Sequence, residues 1–509
     1  MANCDSSEDS AVLSDGILAL LVMLFLSILG GHFLRARQST LMTEAGLATL
    51  IGLGFGAAIR ILGINDSLVP VTRLNVEFFL LFLLPPIIFE SGYNLDKPLF
   101  FREFGGILML AFPGTLISAF TIGSLTYLIS FLEAVPDFTY AEALAFGTLI
   151  SSTDPVAMLS IMKDMAVDPV LYNLVFGESI FNDAVTIVLY RAIVDNKKTG
   201  SNAAVIFESV FLFFINFIVS FFVGAAVALF IAFVLKKVSH VSSNRYNLEA
   251  TAIILGPWVC YLISEALSMS GIVSALFCGI FMARYAQPNL SDMSRAMVGR
   301  AYSVVAHASE TLVFIFLGIG LFSFDLPFKK TGVLLTVGSI VFCLIGRALN
   351  VLANCTLLNQ FRSHKLSMKM QFVLWFGGLR GAIAFALAVQ ATHDFSQGEV
   401  MLTLALVFSL LSILIFGSAM TSVLRSLELF NNSGNLMDQG DTSHCFMKGK
   451  NFVAWLDETY IYPFFVHESF PQVLASPKFH HESRGEAGIE LKVDPSGSPR
   501  DIEVEVIAD

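Results

Sequence analysis

The sequence predicts an all-α polytopic membrane protein of about thirteen transmembrane helices, built as an inverted repeat around two crossing broken helices. Three observations lead there. Of the 509 residues, 55% are hydrophobic and only 14% are charged, whereas a soluble domain carries about 25% charged residues. Mean hydropathy is +0.73, which is more apolar material than the single interior of a water-soluble chain consumes. Apolar runs of helical length recur from residue 12 to residue 424, each near the roughly 20 residues an α-helix needs to cross a bilayer core.

Taken in order, the runs fall near residues 12–34, 42–62, 74–92, 104–131, 141–163, 169–194, 204–237, 247–267, 269–286, 300–323, 331–357, 370–392 and 398–424. The first follows Asp5, Glu8, Asp9 and Asp15, with no Lys or Arg before Arg35. A secretory leader starts basic, so this run is expected to be a retained helix. The 204–237 run is long and is expected to tilt. Pro85-Pro86 is expected to break the third run. The fifth run carries Ser151-Ser152-Thr153-Asp154-Pro155 and the twelfth carries Gly377-Gly378-Leu379-Arg380-Gly381. Both are helix-breaking sequences, and they occupy matching places in two sets of six runs. Transporters built from inverted repeats place such paired interruptions at the membrane midplane.

Residues 1–425 are therefore expected to form the membrane domain and residues 426–509 a cytoplasmic tail. The tail is polar, with Pro495–Pro499 near its end, and is expected to be largely disordered. Its aromatic stretch Phe452–Phe470 could pack against the membrane domain. Loop charges orient the chain: with the N-terminus outside, the inner loops hold fourteen Lys and Arg and the outer loops seven, which suits the excess of basic residues on cytoplasmic loops. Asn65 then lies outside as a possible glycosylation acceptor.

Several classes are excluded. Net charge is −11, so a basic nucleic-acid surface is missing. The six cysteines (Cys4, Cys260, Cys278, Cys343, Cys355 and Cys445) show no paired spacing, and apolar surroundings suit a free thiol. The sequence holds no Walker loop, no Cys/His cluster and no Gly-x-Ser-x-Gly elbow. No enzyme activity and no cofactor are expected, and membrane lipids are the expected surroundings.

Charges inside the apolar runs are the informative positions, because each costs roughly 2.5–3.5 kcal/mol or more at the bilayer centre. Asp183 lies mid-run in Gly177-Glu178-Ser179-Ile180-Phe181-Asn182-Asp183-Ala184-Val185. Loss of hydration penalises a bare carboxylate, so the site takes a proton or a desolvated Na⁺ but not both, and that competition is what an exchanger requires. Asn182 offers a neutral oxygen. One titrating acid implies one Na⁺ for one H⁺ and an electroneutral cycle; the plain alternative is a structural hydrogen-bonding role for Asp183. Glu178 would add a second charge and is expected to pair with Arg347, unless Arg347 snorkels to an interface. Asp154 and Arg380 are expected to serve the partial charges of the half-helix ends, with Thr153 offering an oxygen to the ion. The alternative there is an ordinary proline kink with Asp154 in a water cavity. Glu90 and Glu310 are either secondary charges on the ion path or interface residues. His32 and His307 read as plain polar residues.

Phe78–Glu90, Ser151–Ala157, Val175–Val185, Ser309–Gly318 and Phe376–Phe385 together resemble the eukaryotic sodium/proton exchanger family of monovalent cation:proton antiporters. The resemblance spans roughly residues 12–425. It implies a homodimer, with a moving core domain that carries Na⁺, or K⁺, across by an elevator-like motion. It implies that Asp183 binds the ion with Asn182, Asp154 and Thr153 around it, that Glu178 pairs with Arg347, and that Arg380 serves the helix crossover. The segment of Phe79, Leu80, Pro85 and Pro86 resembles the region linked to amiloride-type inhibition. Trp455–Phe465 resembles the tail motif of the organellar branch, which implies endosome or Golgi rather than plasma membrane. A cation channel or passive pore using the same acidic site is the competing reading.

Overall fold

The computed structural model describes residues 2–37, 42–62, 78–95, 97–132, 136–154, 156–165, 167–199, 204–238, 246–324, 326–362, 365–427 and 461–466. Asn65, Pro155 and most of the tail lie outside them. The described residues are helical and form no strand. In chain order the helices are α1 (Ala2–Ala36), α2 (Glu44–Leu62), α3 (Phe79–Tyr93), α4 (Lys97–Ile129), α5 (Tyr140–Leu149), α6 (Val156–Asp164), α7 (Pro169–Thr199), α8 (Ala204–Val238) and α9 (Tyr246–Ala266). They continue as α10 (Gly271–Phe281), α11 (Asp292–Ser323), α12 (Phe328–Phe361), α13 (Met368–Phe376), α14 (Ala382–Asp394), α15 (Gly398–Leu427) and α16 (Tyr462–Phe465).

Among the described residues eight helices are long and apolar enough to cross a membrane: α1, α2, α4, α8, α9, α11, α12 and α15. Helix α7 stands outside that set although it has 31 residues. Glu178, Asp183, Arg191 and Asp195 lie along it; Glu178 is buried in protein, whereas Arg191 and Asp195 are exposed. The described chain is non-helical over residues 150–154 after α5, and over residues 377–381 between α13 and α14. The expected interruptions are therefore where the breakers stand.

The third run departs from expectation. Pro85 and Pro86 do not break it. They sit in the first turn of an α-helical stretch beginning at Leu84, directly after a π-wound turn at Phe79–Leu83. Proline is tolerated in a first helical turn, where its missing N–H is no loss. The wider turn before it absorbs the mismatch, so the axis continues.

The helices sort into two bundles by which pack on which. One comprises α1–α3 and α8–α11; the other comprises α4–α7 and α12–α15. In the first, α2 and α11 cross so closely that a Cβ on Gly52 would come 2.2 Å from the Ile315 carbonyl oxygen, and one on Gly318 2.2 Å from that of Thr49. Small residues permit such backbone approach between helices in lipid, where no hydrophobic force drives them together. Between the bundles the contact is aromatic. Phe112 of α4 stacks on Phe214 of α8 with centroids 5.8 Å apart, and Phe181 of α7 meets Phe217 and Phe277 at 5.8 and 6.2 Å.

The short tail helix α16 docks on the first bundle. Lys236 Nζ donates to the Pro463 and Phe464 carbonyls at 2.6 and 3.0 Å, and Asn289 Nδ2 to the Phe465 carbonyl at 2.7 Å. The Arg284 guanidinium lies over the Tyr462 ring. Part of the aromatic stretch thus packs on the membrane domain, while residues 452–460 and 467–470 lie outside the described ones.

Candidate ion-binding site

The two interruptions meet. Asp154 N donates to the Leu379 carbonyl at 2.8 Å, joining one break to the other. Where a helix stops, its last carbonyls lose their partners and the end carries partial negative charge. Arg380 answers this for α5: it is 1% exposed, and its Nη1 donates to the carbonyls of Ser151 and Ser152 at 2.8 and 3.0 Å. Arg347 does the same for α13, donating to the Leu374 carbonyl through Nη2 at 2.8 Å and Nε at 3.3 Å. The N-terminal end of α14 carries partial positive charge and receives Asp154. The approach is so close that a Cβ on Gly381 would fall 1.8 Å from the Asp154 carboxylate.

Helix α7 runs beside this crossover and presents two neighbouring stripes to it. Glu178 and Asn182, four residues apart, share a face and are both buried. Glu178 receives both terminal nitrogens of Arg347 in a bidentate ion pair, the Oε2–Nη2 arm at 2.9 Å. Asn182 Nδ2 donates to the Ser151 carbonyl at 3.1 Å and to Thr153 Oγ1 at 3.4 Å, while its oxygen accepts from the Thr186 hydroxyl at 3.2 Å. One position on, Ser179 and Asp183 form the second stripe. Ser179 Oγ donates to the Thr153 carbonyl at 2.7 Å, and Asp183 Oδ1 accepts from Ser152 Oγ at 2.5 Å.

Asp183, Asp154, Ser152 and Ser179 line a cavity of about 960 Å³ that lies between the two bundles. Phe79 and Glu90 of α3 and His307 and Glu310 of α11 contribute the opposite wall, and Arg35, Lys163 and Arg425 also line it. Two turns along α7 from Asp183, Tyr190 donates its hydroxyl to Asp394 Oδ2 at 3.1 Å, and nearby Ser396 Oγ donates to Glu142 at 2.6 Å. Neither pair lines the cavity.

Comparison with known proteins decides the family. Residues 17–426 match the model of the sodium/hydrogen exchanger transmembrane family. The chain is 38% identical over 418 residues to sodium/hydrogen exchanger 5 of Arabidopsis thaliana, covering 81% of this chain and 80% of that protein. It is 34% identical over 431 residues to human sodium/hydrogen exchanger 8, covering 83% of this chain and 73% of that protein. The chain belongs to the sodium/hydrogen exchanger family.

As a member it is a multi-pass cation/proton antiporter, and its family is one of transporters rather than enzymes. The fold agrees: the sodium proton antiporter MjNhaP1 from Methanocaldococcus jannaschii superimposes with a TM-score of 0.60 at 19% identity, covering 82% of this chain and 99% of that one. Within this exchanger the structure brings Asp183, Asn182, Thr153, Asp154, Glu178, Arg347 and Arg380 into one network. Glu310 and Phe79 stand on the cavity wall, whereas Leu80, Pro85 and Pro86 do not line it. Ser152, Ser179 and Thr186 escaped the sequence reading. The last two carried a usable signal: Ser179 stands four residues before Asp183 and Thr186 four after Asn182, spacings that share a helix face.

Proposed function

We propose that this exchanger moves one Na⁺ against one H⁺ per cycle, electroneutrally, with Asp183 as the group that holds either ion. One observation carries the reading: Asp183 stands on the wall of a cavity between two bundles, beside the crossed helix ends. The neighbouring acids are otherwise employed. Glu178 is neutralised by Arg347, and Asp154 lies against the N-terminal end of α14. That leaves Asp183 as the carboxylate whose charge alternates, and a single alternating charge gives a one-for-one exchange. Asp154 and the Thr153 and Asn182 oxygens complete the polar surroundings, K⁺ is a second cargo of the same chemistry, and Glu310 attracts cations along the approach.

The bundle carrying both crossovers is the moving body and the other bundle the fixed frame, also the face for a homodimer. Counting each broken pair as one pass gives the thirteen-pass topology, with the N-terminus outside or luminal. The cavity mouth at Arg35, Lys163 and Arg425 is then cytoplasmic and the structure faces inward. Its tail motif favours an endosomal or Golgi membrane, where exchange would adjust luminal pH and sodium. A channel would need an open route past Tyr190 and Asp394, which are bonded to each other.

Reconstituted vesicles test this. An imposed sodium gradient should drive proton flux without building a voltage, and Asp183→Asn should remove that flux while the protein keeps its thermal unfolding midpoint. Coupled flux persisting in Asp183→Asn would sink the role of Asp183; a voltage growing with turnover would sink the stoichiometry.

A further inference from the structure

Among the described residues Ser152 is the one side chain whose hydrogen bond reaches the Asp183 carboxylate from the helix break, and neither composition nor spacing marks it. Its Oγ donates to Asp183 Oδ1 at 2.5 Å. The residue is held from behind, because its own carbonyl accepts from the buried Arg380 guanidinium at 3.0 Å. It is 3% exposed and yet lines the cavity. A hydroxyl gives one hydrogen and keeps two lone pairs. With the hydrogen spent on Asp183, the lone pairs remain available to a cation bound on the same carboxylate.

We propose that Ser152 is a specificity-determining residue of the exchange site, holding the Asp183 carboxylate in place and offering its oxygen to the arriving sodium ion. This rests on the reading of Asp183 as the exchanging acid. The other charged and titratable groups lining the cavity are Asp154, Glu90, His307, Glu310, Tyr172, Glu44, Lys163, Arg35 and Arg425, and Arg380 lies at the crossover. All of these are present in any Ser152 variant, so a change on replacing Ser152 reports the hydroxyl.

Ser152→Ala removes both the donor and the oxygen. Sodium then loses a ligand, and the Asp183 carboxylate loses the bond that positions it. Measured as initial rates of sodium uptake in vesicles, the sodium KM should rise about tenfold, the low end for a hydrogen bond to a charged group. The maximal rate at saturating sodium should be far less affected. Ser152→Thr, which restores a hydroxyl, should recover the KM. An unchanged KM in Ser152→Ala would overturn the proposal. So would a fall in maximal rate alone, or a loss of exchange in the Ala and Thr variants alike, since each marks a merely structural residue. Asp183→Asn separates the two readings: if that variant still exchanges, the assignment of Asp183 fails whatever Ser152 does.

Discussion

Arg347 shows what a charge must do when water is out of reach. Its guanidinium is buried, so its donors need protein acceptors; of its five N–H groups Glu178 takes two and the Leu374 carbonyl two more. Removing one member of a buried ion pair leaves the other uncompensated and costs about 3–5 kcal/mol, whereas removing both is often close to neutral. Arg347→Gln should therefore lower stability by about that amount, and Glu178→Gln with Arg347→Gln should recover most of it. A residual loss of about 1 kcal/mol is expected from the Leu374 carbonyl. The thermal unfolding midpoint in detergent checks both variants, and equal losses in the single and the double would refute the pairing argument. At this scale much of the site was legible, because an ionisable residue in an apolar run stands out by its cost. Asp183, Glu178, Arg347, Asp154 and Arg380 are all found that way. Ser152 and Ser179 were not, since a buried hydroxyl is cheap and common in membrane helices and its partner is known only from the fold.

At the scale of the element, the two interrupted helices carry the site because each supplies what the other lacks. The α5 end offers unpaired carbonyls, which Arg380 from the second break satisfies; the α14 start offers partial positive charge, beside which Asp154 from the first break sits. Gly381 makes that exchange possible, since any side chain there would occupy the space of the Asp154 carboxylate. Gly381→Ala should destabilise the protein by about 1–3 kcal/mol through overpacking and displace Asp154. Gly299→Ala on α11 is the control, as an added Cβ there meets nothing within 4 Å. Melting curves and sodium uptake on both variants test this, and a silent Gly381→Ala would mean that the two breaks do not hold each other. The breaks themselves were readable, for Asp-Pro and Gly-Gly each weaken a helix and the two stand at matching places in the two sets of runs. The π-wound turns were not. Nothing in Phe79–Leu83 or Ser412–Gly417 distinguishes such a turn from an ordinary one, because its extra residue is accommodated by packing on neighbours rather than by local preference.

At the scale of the whole molecule, the boundary between the bundles is where the proposed motion would act. It is a run of phenylalanine contacts from Phe112 and Phe181 to Phe214, Phe217 and Phe277. Ring contacts are non-directional compared with hydrogen bonds, so one bundle can slide along the other without leaving buried polar groups unsatisfied. A charged contact also crosses this boundary: Arg191 of α7 meets Glu265 of α9 at 3.4 Å, with both side chains partly exposed. Such a pair contributes about 0–1 kcal/mol, enough to bias a state but not to lock it. If exchange requires the bundles to move past each other, a covalent bridge at this position should stop it. With Arg191 and Glu265 both replaced by cysteine and joined by a short bifunctional thiol reagent, sodium uptake should fall to background. Either single replacement treated the same way should retain most of its rate. A bridge placed within one bundle, across α2 and α11, should leave exchange running, because those helices travel together. Uptake that survives the α7–α9 bridge at full cross-linking would mean that the ion crosses without relative motion of the bundles, and the carrier reading would give way to a narrower gating movement around Asp183 alone.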